Sequence, residues 1–420
     1  MSNFFIFDVL YSFGQKTFME KLISLMGLFV MMGIAYLMSA NRKKINWKTV
    51  VGGVLSQIVF GFLILRTGPG LFVFDKAKDA FEAVLNYTKA GSSFLFGPLA
   101  DSTNIGFIFA TMVLPTIIFT SALMSILYHI GLMEIIVKFF ARIMIRIMGT
   151  SGAESLAAAA NIFAGQTEAP LVIKPYLKGM TQSELLAMMV GGMASIAGGV
   201  LVAYVGLGID GGHLLAASVM SAPASLCISK LMLPETENPD TGAAMNVKFP
   251  KAAENVIDAV VVGTSEGLML ALNVGAMLLS FIALIAMFNG LLGWVGSFVG
   301  LGGITFEAIM GYLFSPFAWV MGVPWEDCLT VGNLLGKKTV LNEFVAYLDL
   351  KDAVISDRSR AIATYALCGF ANFASIGIQV GGIGSLVPER RKDLAKLGFR
   401  ALIAGTLSCF MTACIAGLFI

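Results

Sequence analysis

The chain has 420 residues, 57% of them hydrophobic and 13% charged, with a mean hydropathy of +0.84 and a formal net charge of +2. A soluble domain carries about 25% charged residues, so this composition excludes a soluble globular protein and indicates one that crosses the membrane many times. The small net charge, with no basic stretch interleaved with aromatics, gives no basis for a nucleic-acid partner.

In chain order, the first apolar run, Leu22 to Ala40, is too long for a signal-peptide core and ends in Asn41-Arg42-Lys43-Lys44 rather than in a cleavage site. It reads as a retained membrane helix with a cytoplasmic C-terminal end, which places the N-terminus outside. A second span is expected at about 50–65. Residues 74–85 alternate Phe74, Ala77, Phe81, Val84 and Leu85 with Asp75, Lys78, Asp79 and Glu82, the spacing of an amphipathic helix lying on the outer surface. A third span covers about 105–128, with Pro115 as a kink. Over 133–148, Glu134, Lys138, Arg142 and Arg146 form one charged stripe, as in a helix at the cytoplasmic headgroups.

Regularity then fails. Residues 154–175 are apolar enough to enter the bilayer but contain Asn161, Gly165, Gln166, Thr167, Glu168 and Pro170. The following run, about 184–208, is broken at Ser195-Ile196-Ala197-Gly198-Gly199. Spans at about 213–233 and 267–288 flank a polar loop running from Pro234 to Asp258. A second irregular stretch, 305–348, holds Pro316, Pro324, Lys337, Lys338, Asn342 and Glu343. The run 360–386 is broken at Asn372-Phe373-Ala374-Ser375-Ile376-Gly377, and a last span covers about 397–419.

Both halves therefore share one order: a polar phrase with a glutamate, then a long span interrupted at Ser-Ile and glycines. Interrupted hydrophobic segments in corresponding positions are the best sequence pointer to a transporter's substrate site. The reading is an all-α polytopic membrane protein of eight transmembrane helices plus two re-entrant hairpins, built as inverted repeats. It comprises an N-terminal scaffold segment (1–104), a first repeat (105–233) with its hairpin around 154–175, a polar loop (234–262) and a second repeat (263–420) with its hairpin around 305–348. The Lys- and Arg-bearing segments 41–49, 138–146, 174–178, 230–251 and 390–396 fall on the cytoplasmic side of this topology and the outer loops 208–213 and 289–304 carry neither, whereas Lys351, Arg358 and Arg360 fall outside, where the acids Asp349, Asp352 and Asp357 accompany them.

A carboxylate at bilayer depth costs roughly 2.5–3.5 kcal/mol on insertion scales and persists where it faces a cavity or a partner. Glu168 and Glu343 thus mark a buried polar-solute site. For Asn372, Ser375 and Thr167, hydrogen bonding to freed helix backbone is the rival reading. The five cysteines lack metal-ligand spacing and read as small packing residues, and His129 and His213 lie at the ends of apolar runs, where an interfacial role fits better than ligation.

At these residues the chain resembles the concentrative nucleoside transporter family, in its bacterial eight-span branch. The resemblance rests on Gly-Gln-Thr-Glu-Ala-Pro at 165–170, Ser-Ile-Ala-Gly-Gly at 195–199, Pro-Glu-Thr-Glu at 234–237, Asn-Glu-Phe-Val-Ala-Tyr at 342–347 and Cys-Gly-Phe-Ala-Asn-Phe-Ala-Ser-Ile at 368–376. It implies a homotrimer in the bacterial inner membrane that imports nucleosides such as uridine by an elevator-like form of alternating access. By similarity, Glu343, Asn372 and Ser375 hold the ribose, Gln166, Thr167 and Glu168 reach the base, and Val200, Leu270 and Phe370 form apolar walls. The family's sodium site matches Asn161, Ala164, Ser195 and Ile196, and the asparagine favours sodium over a proton as coupling ion. Proton coupling through Glu168 or Glu343 stays open as the alternative. Lys337 and Lys338 read as local charge partners or tip residues.

Two other classes fit poorly. A channel needs a continuous polar stripe or filter, and the sequence offers isolated polar islands. An intramembrane enzyme needs a nucleophile with its base or a metal constellation, and neither His-Glu-x-x-His nor Gly-x-Ser-x-Gly occurs in the polar phrases.

Overall fold

The computed structural model describes residues 2–101, 106–241, 253–298, 300 and 305–420, and among them every regular element is a helix. α1 (Ser2–Leu37) turns into α2 (Trp47–Arg66) through the basic segment 41–46. There Arg42 donates to the Tyr36 and Leu37 carbonyls, satisfying acceptors that the end of a helix leaves open. α3 (Gly68–Phe96) is a single helix of 29 residues, longer than the amphipathic segment 74–85 expected. Its start is fixed by Thr67, which accepts from the Gly70 amide, and by Pro69 in the first turn. The α2–α3 corner is tight enough that a Cβ on Gly70 would lie 1.7 Å from the Leu63 carbonyl oxygen.

The third span is α4 (Phe109–Met112) followed by α5 (Leu114–His129). Pro115 sits in the first turn of α5 and starts the helix rather than kinking it, because its missing N–H would have had no partner there. Residue 105, the first of the expected span, lies outside the described residues.

The remaining elements fall into two series of the same order. In the first, α6 (Leu132–Met148) buries Met133, Val137, Ala141, Met144 and Met148 on one face and pairs Glu134 with Lys138 on the other. The arms α7 (Gly152–Ala160) and α8 (Ala169–Val172) follow, then the split helix α9 (Gln182–Ala194) and α10 (Gly198–Gly206), then α11 (Gly211–Met232). In the second, α13 (Phe306–Val320) takes the position of α6, and α14 (Cys328–Val340) with α15 (Glu343–Asp352) takes that of the arms. The split helix is α16 (Asp357–Leu367) with α17 (Phe373–Leu386), and α18 (Arg391–Phe419) closes the chain. The stretch 305–348, taken as one irregular segment in the sequence, thus contains a separate helix, α13, ahead of an arm–turn–arm unit that runs on to Asp352. The second break likewise falls at 368–372, a few residues before the position expected.

Between the two series, α12 runs as one helix from Val256 to Phe298, longer at both ends than the expected span 267–288 and starting inside the expected polar loop. Residues 242–252 of that loop lie outside the described residues. α12 packs along α5, where Gly263 and Gly267 face Ser121, Ser125 and Ile118: a Cβ on either glycine would come within 2.8 Å of them. Small residues four apart are how membrane helices approach closely without a hydrophobic driving force.

Among the described residues, seven helices are long and apolar enough to cross a membrane. The eighth expected span, 360–386, is divided between α16 and α17, and neither half has that length. All five cysteines are buried and free.

Buried charge ties down the root of the first series. Lys230 in α11 meets Glu154 of α7 at 2.6 Å and Glu235 at 3.3 Å, and donates to Ser183 Oγ at 2.8 Å. Ser151 and Thr181 cap α7 and α9 with reciprocal boxes to Glu154 and Glu184, and Thr181 Oγ1 also donates to Glu235. The Pro-Glu-Thr-Glu phrase is therefore a clasp over the ends of three helices. In the second series, Arg358 pairs with Glu20 and donates to the Gly322 and Gly417 carbonyls, while Arg360 donates to the carbonyls of Leu350 and Ala353 at the end of α15. These two arginines, two of the three exceptions to the expected charge asymmetry, are tied to local carbonyls and a carboxylate.

Candidate functional site

The two split helices meet at their breaks. Ser195 leaves helical geometry at the end of α9, and its freed carbonyl accepts from the Phe370 amide at 3.2 Å. Cys409 of α18 lies against the Ala194 and Cys368 carbonyls beside both breaks. Backbone of this kind is tolerated at membrane depth only where protein buries it or it lines a cavity.

Asn372 is the N-cap of α17. Its Oδ1 accepts from the Ser375 amide at 2.9 Å, which leaves Nδ2 free to donate to Glu343 Oε2 at 3.2 Å. Glu343 opens α15, where the helix dipole favours a negative charge, and Asn342 caps the same helix by accepting from Val345 N. The other carboxylate oxygen accepts from Tyr204 OH of α10 at 2.8 Å. Glu343 is 4% exposed and Tyr204 fully buried. Ser375 Oγ accepts from Gln166 Nε2 at 3.1 Å, across 209 residues of chain. One continuous chain of bonds, Tyr204–Glu343–Asn372–Ser375–Gln166, thus joins the two series.

Gln166 Oε1 and Gln379 Oε1 are buried acceptors with no protein partner. Gln379 donates its amide to the Met189 carbonyl at 2.9 Å, and both glutamines press on Gly192, where a Cβ would lie within 3.0 Å of each. The group therefore offers carboxylate and amide acceptors, with a serine hydroxyl able to donate, the complement of a solute rich in hydroxyls with a mixed donor–acceptor edge.

Of the residues expected in the site, Gln166, Glu343, Asn372 and Ser375 are brought together by hydrogen bonds. Thr167 and Glu168 are exposed and stand outside that group; Thr167 faces Gly382 of α17, and Glu168 folds back onto the Gly165 amide at 3.1 Å. Val200 is buried in the first turn of α10, Phe370 is half-buried at the second break, and Leu270 is half-buried on α12. Asn161, Ala164, Ser195 and Ile196 are all buried. Asn161 Nδ2 donates to Ala157 O and lies against Gly191, whose carbonyl accepts from Ser195 Oγ at 2.9 Å. Asn161 Oδ1 is left as a buried acceptor without a partner. The Gly198 amide donates to the Phe163 carbonyl at 2.8 Å, holding the α7–α8 turn against the break. Among the described residues no cluster of three His, Cys, Asp or Glu could hold a metal, so a cation here would draw on amide, hydroxyl and backbone oxygens.

Two residues escaped the sequence reading: Tyr204 sits in an unbroken apolar run, and Gln379 lies beyond the polar phrase. Lys338, read as a local charge partner or tip residue, is 1% exposed and donates to the Ala366 carbonyl at 2.8 Å. Lys337 does pair locally, with Asp349 and with Glu307. His213 bonds Tyr365 OH at 3.0 Å and stacks edge-on against Phe74.

Three family models cover most of the chain: "Na+ dependent nucleoside transporter N-terminus" over 26–99, "Nucleoside recognition" over 110–210 and "Na+ dependent nucleoside transporter C-terminus" over 213–417. An uncharacterized transporter of Haemophilus influenzae is 47% identical over 411 residues, covering 96% of this chain and 98% of that protein. The chain belongs to the sodium-dependent, concentrative nucleoside transporter family. Within that family it is 42% identical over 417 residues to the sodium/nucleoside cotransporter 1 of Rattus norvegicus, covering 95% of this chain and 64% of the rat protein. The solved structure of CNTnw in an inward-facing substrate-bound state matches with a TM-score of 0.89 at 47% identity, over 95% of this chain and 97% of that one. A doubly substituted CNTnw in an outward-facing state matches with a TM-score of 0.91 at 46% identity, over 96% and 99%. Membership makes this a multi-pass membrane transporter rather than an enzyme, in a family whose coupling ion is sodium.

Proposed function

We propose that the protein imports nucleosides by symport with sodium, binding both in the region where the two split helices meet. The observation that carries this reading is the bonded chain from Tyr204 through Glu343, Asn372 and Ser375 to Gln166. A membrane carboxylate whose two oxygens are each fixed by one donor keeps lone pairs available for ribose hydroxyls, and bonds to a charged acceptor are the strong ones. In this reading Glu343 and Asn372 orient the ribose with Ser375, while Gln166 Oε1 supplies an acceptor to the base. Thr167 and Glu168, exposed beside them, reach the base edge from the first turn, and Val200, Leu270 and Phe370 supply apolar surface. The arms α7–α8 and α14–α15 act as the two re-entrant hairpins, oppositely directed in the membrane, and the sites move with them in an elevator-like exchange of access.

Sodium fits the first break. Asn161 Oδ1 is an unpaired buried acceptor and Ser195 Oγ bonds the carbonyl of Gly191, the residue Asn161 lies against, so Asn161 and Ser195 with the Ala164 and Ile196 carbonyls would hold the ion. When bound, the ion supplies charge that orders the α7–α8 turn against the break. A proton is the second reading, with Glu168 or Glu343 as the acid that would carry it. Location in a bacterial inner membrane and assembly as a homotrimer complete the proposal; most of α12 presents an apolar surface, with Leu272, Leu279, Met287 and Trp294 exposed.

Radiolabelled uridine uptake into proteoliposomes tests this, with an inward sodium or proton gradient imposed separately. Sodium-driven accumulation lost in Asn161→Ala supports both site and ion. Proton-driven accumulation moves coupling to Glu168 or Glu343, and no uptake of uridine or any purine nucleoside under either gradient overturns the function.

A further inference from the structure

The two breaks are alike in construction and opposite in chemistry. At the first, the residue that ends arm α7, Asn161, reaches the last turn of α9 at Gly191 and leaves a bare oxygen there. At the second, Lys338 in the last turn of arm α14 reaches the last turn of α16 and donates its ammonium to the Ala366 carbonyl at 2.8 Å. An orphan acceptor on one side corresponds to a buried positive charge on the other.

The location explains what such a charge does. Breaking a helix strips its last carbonyls of donors and leaves the negative end of the dipole facing the gap. In α16 the Thr364 carbonyl accepts from Tyr347 OH at 2.8 Å and the Tyr365 carbonyl from the Cys368 amide at 3.2 Å, while Ala366 takes the lysine. Lys338 lies five residues before Glu343, at the turn that joins α14 to α15. The geometry points to Lys338 as a tethered cation: it closes the second break permanently, where a free ion closes the first. The parallel rests on the sodium site proposed above; the contacts at the second break do not. It follows that the second break recruits no ion and that the free coupling ion acts at the first break alone.

Amide hydrogen exchange on the purified full-length protein separates these claims, because local opening at each break is read without any substrate. Replacing sodium by choline is expected to speed exchange over residues 194–200 and leave 366–373 unchanged. Lys338→Met is expected to do the reverse, speeding 366–373 by about five-fold or more while 194–200 keeps its wild-type rate, and Lys338→Arg, which keeps the charge, should stay near wild type. Sodium withdrawal that speeds both breaks alike, or Lys338→Met that leaves 366–373 protected, overturns the inference. If sodium withdrawal alters neither break, the sodium reading fails while the lysine variants still decide the second break. Should Lys338→Met not fold, Lys338→Arg and the sodium arm on wild-type protein carry the test.

Discussion

Replacing the Glu343 carboxylate by an amide keeps the shape of the side chain but removes the charge that both Asn372 and Tyr204 are arranged to hold. One of the two oxygens becomes a donor facing a donor. Hydrogen bonds to charged groups contribute about 1.5–3 kcal/mol, so Glu343→Gln should weaken uridine affinity roughly ten-fold or more, measured by equilibrium binding to purified protein. Near wild-type affinity would remove Glu343 from the site. Tyr204→Phe deletes a single donor and leaves Asn372 in place, so a smaller loss of about three- to ten-fold is expected, with sodium activation little changed. A loss as large as that of Glu343→Gln would mean that Tyr204 itself touches the nucleoside. The legibility of these residues differed for a plain physical reason. An acid in an apolar run announces its own cost, whereas a tyrosine in such a run is indistinguishable from packing until the partner of its hydroxyl is known.

Between elements, the stability of the first series hangs on Lys230. Its ammonium joins α7, α9 and α11 through Glu154, Ser183 and Glu235, and it is 5% exposed. Removing one partner of a buried ion pair costs about 3–5 kcal/mol, because the other charge stays behind unpaired. Lys230→Met should therefore lower the thermal midpoint in detergent sharply, and Lys230→Met combined with Glu154→Gln should recover part of the loss. Additive losses would show that the clasp is not a charge pair. Element identities were largely legible here because polar phrases and helix breaks interrupt long apolar runs. Boundaries were less so: α13 is apolar enough to merge with α14 in the sequence, since only the short turn 321–327 divides them. Pro115 was misread because a proline starting a helix and one kinking it look alike until the hydrogen-bond ladder is seen.

Over the whole molecule, the repeated order of arms, split helix and closing helix was visible in the sequence as two matching runs of polar islands. The pairing of the islands was not. Gln166 and Ser375 lie 209 residues apart, and nothing local in either phrase states that they meet; the roles given to them came from family resemblance, and the contact came from the fold. The oligomer is the remaining large-scale expectation. Native mass spectrometry of protein released from nanodiscs should give three chains per particle, and a monomer would leave the apolar face of α12 to lipid.

The bond from the Phe370 amide to the Ser195 carbonyl carries one more implication. It joins the proposed ion pocket and the proposed nucleoside pocket backbone to backbone, a fixed link by which a ligand at one break is felt at the other without either break opening. Two ligands that bias one shared element obey reciprocity: the factor by which sodium tightens uridine must equal the factor by which uridine tightens sodium. Paired calorimetric titrations, each ligand in the presence and absence of the other, should return the same factor, above unity. A factor of one would mean that this bond transmits nothing, and that the gradient is harnessed by the order of binding and movement rather than by mutual affinity.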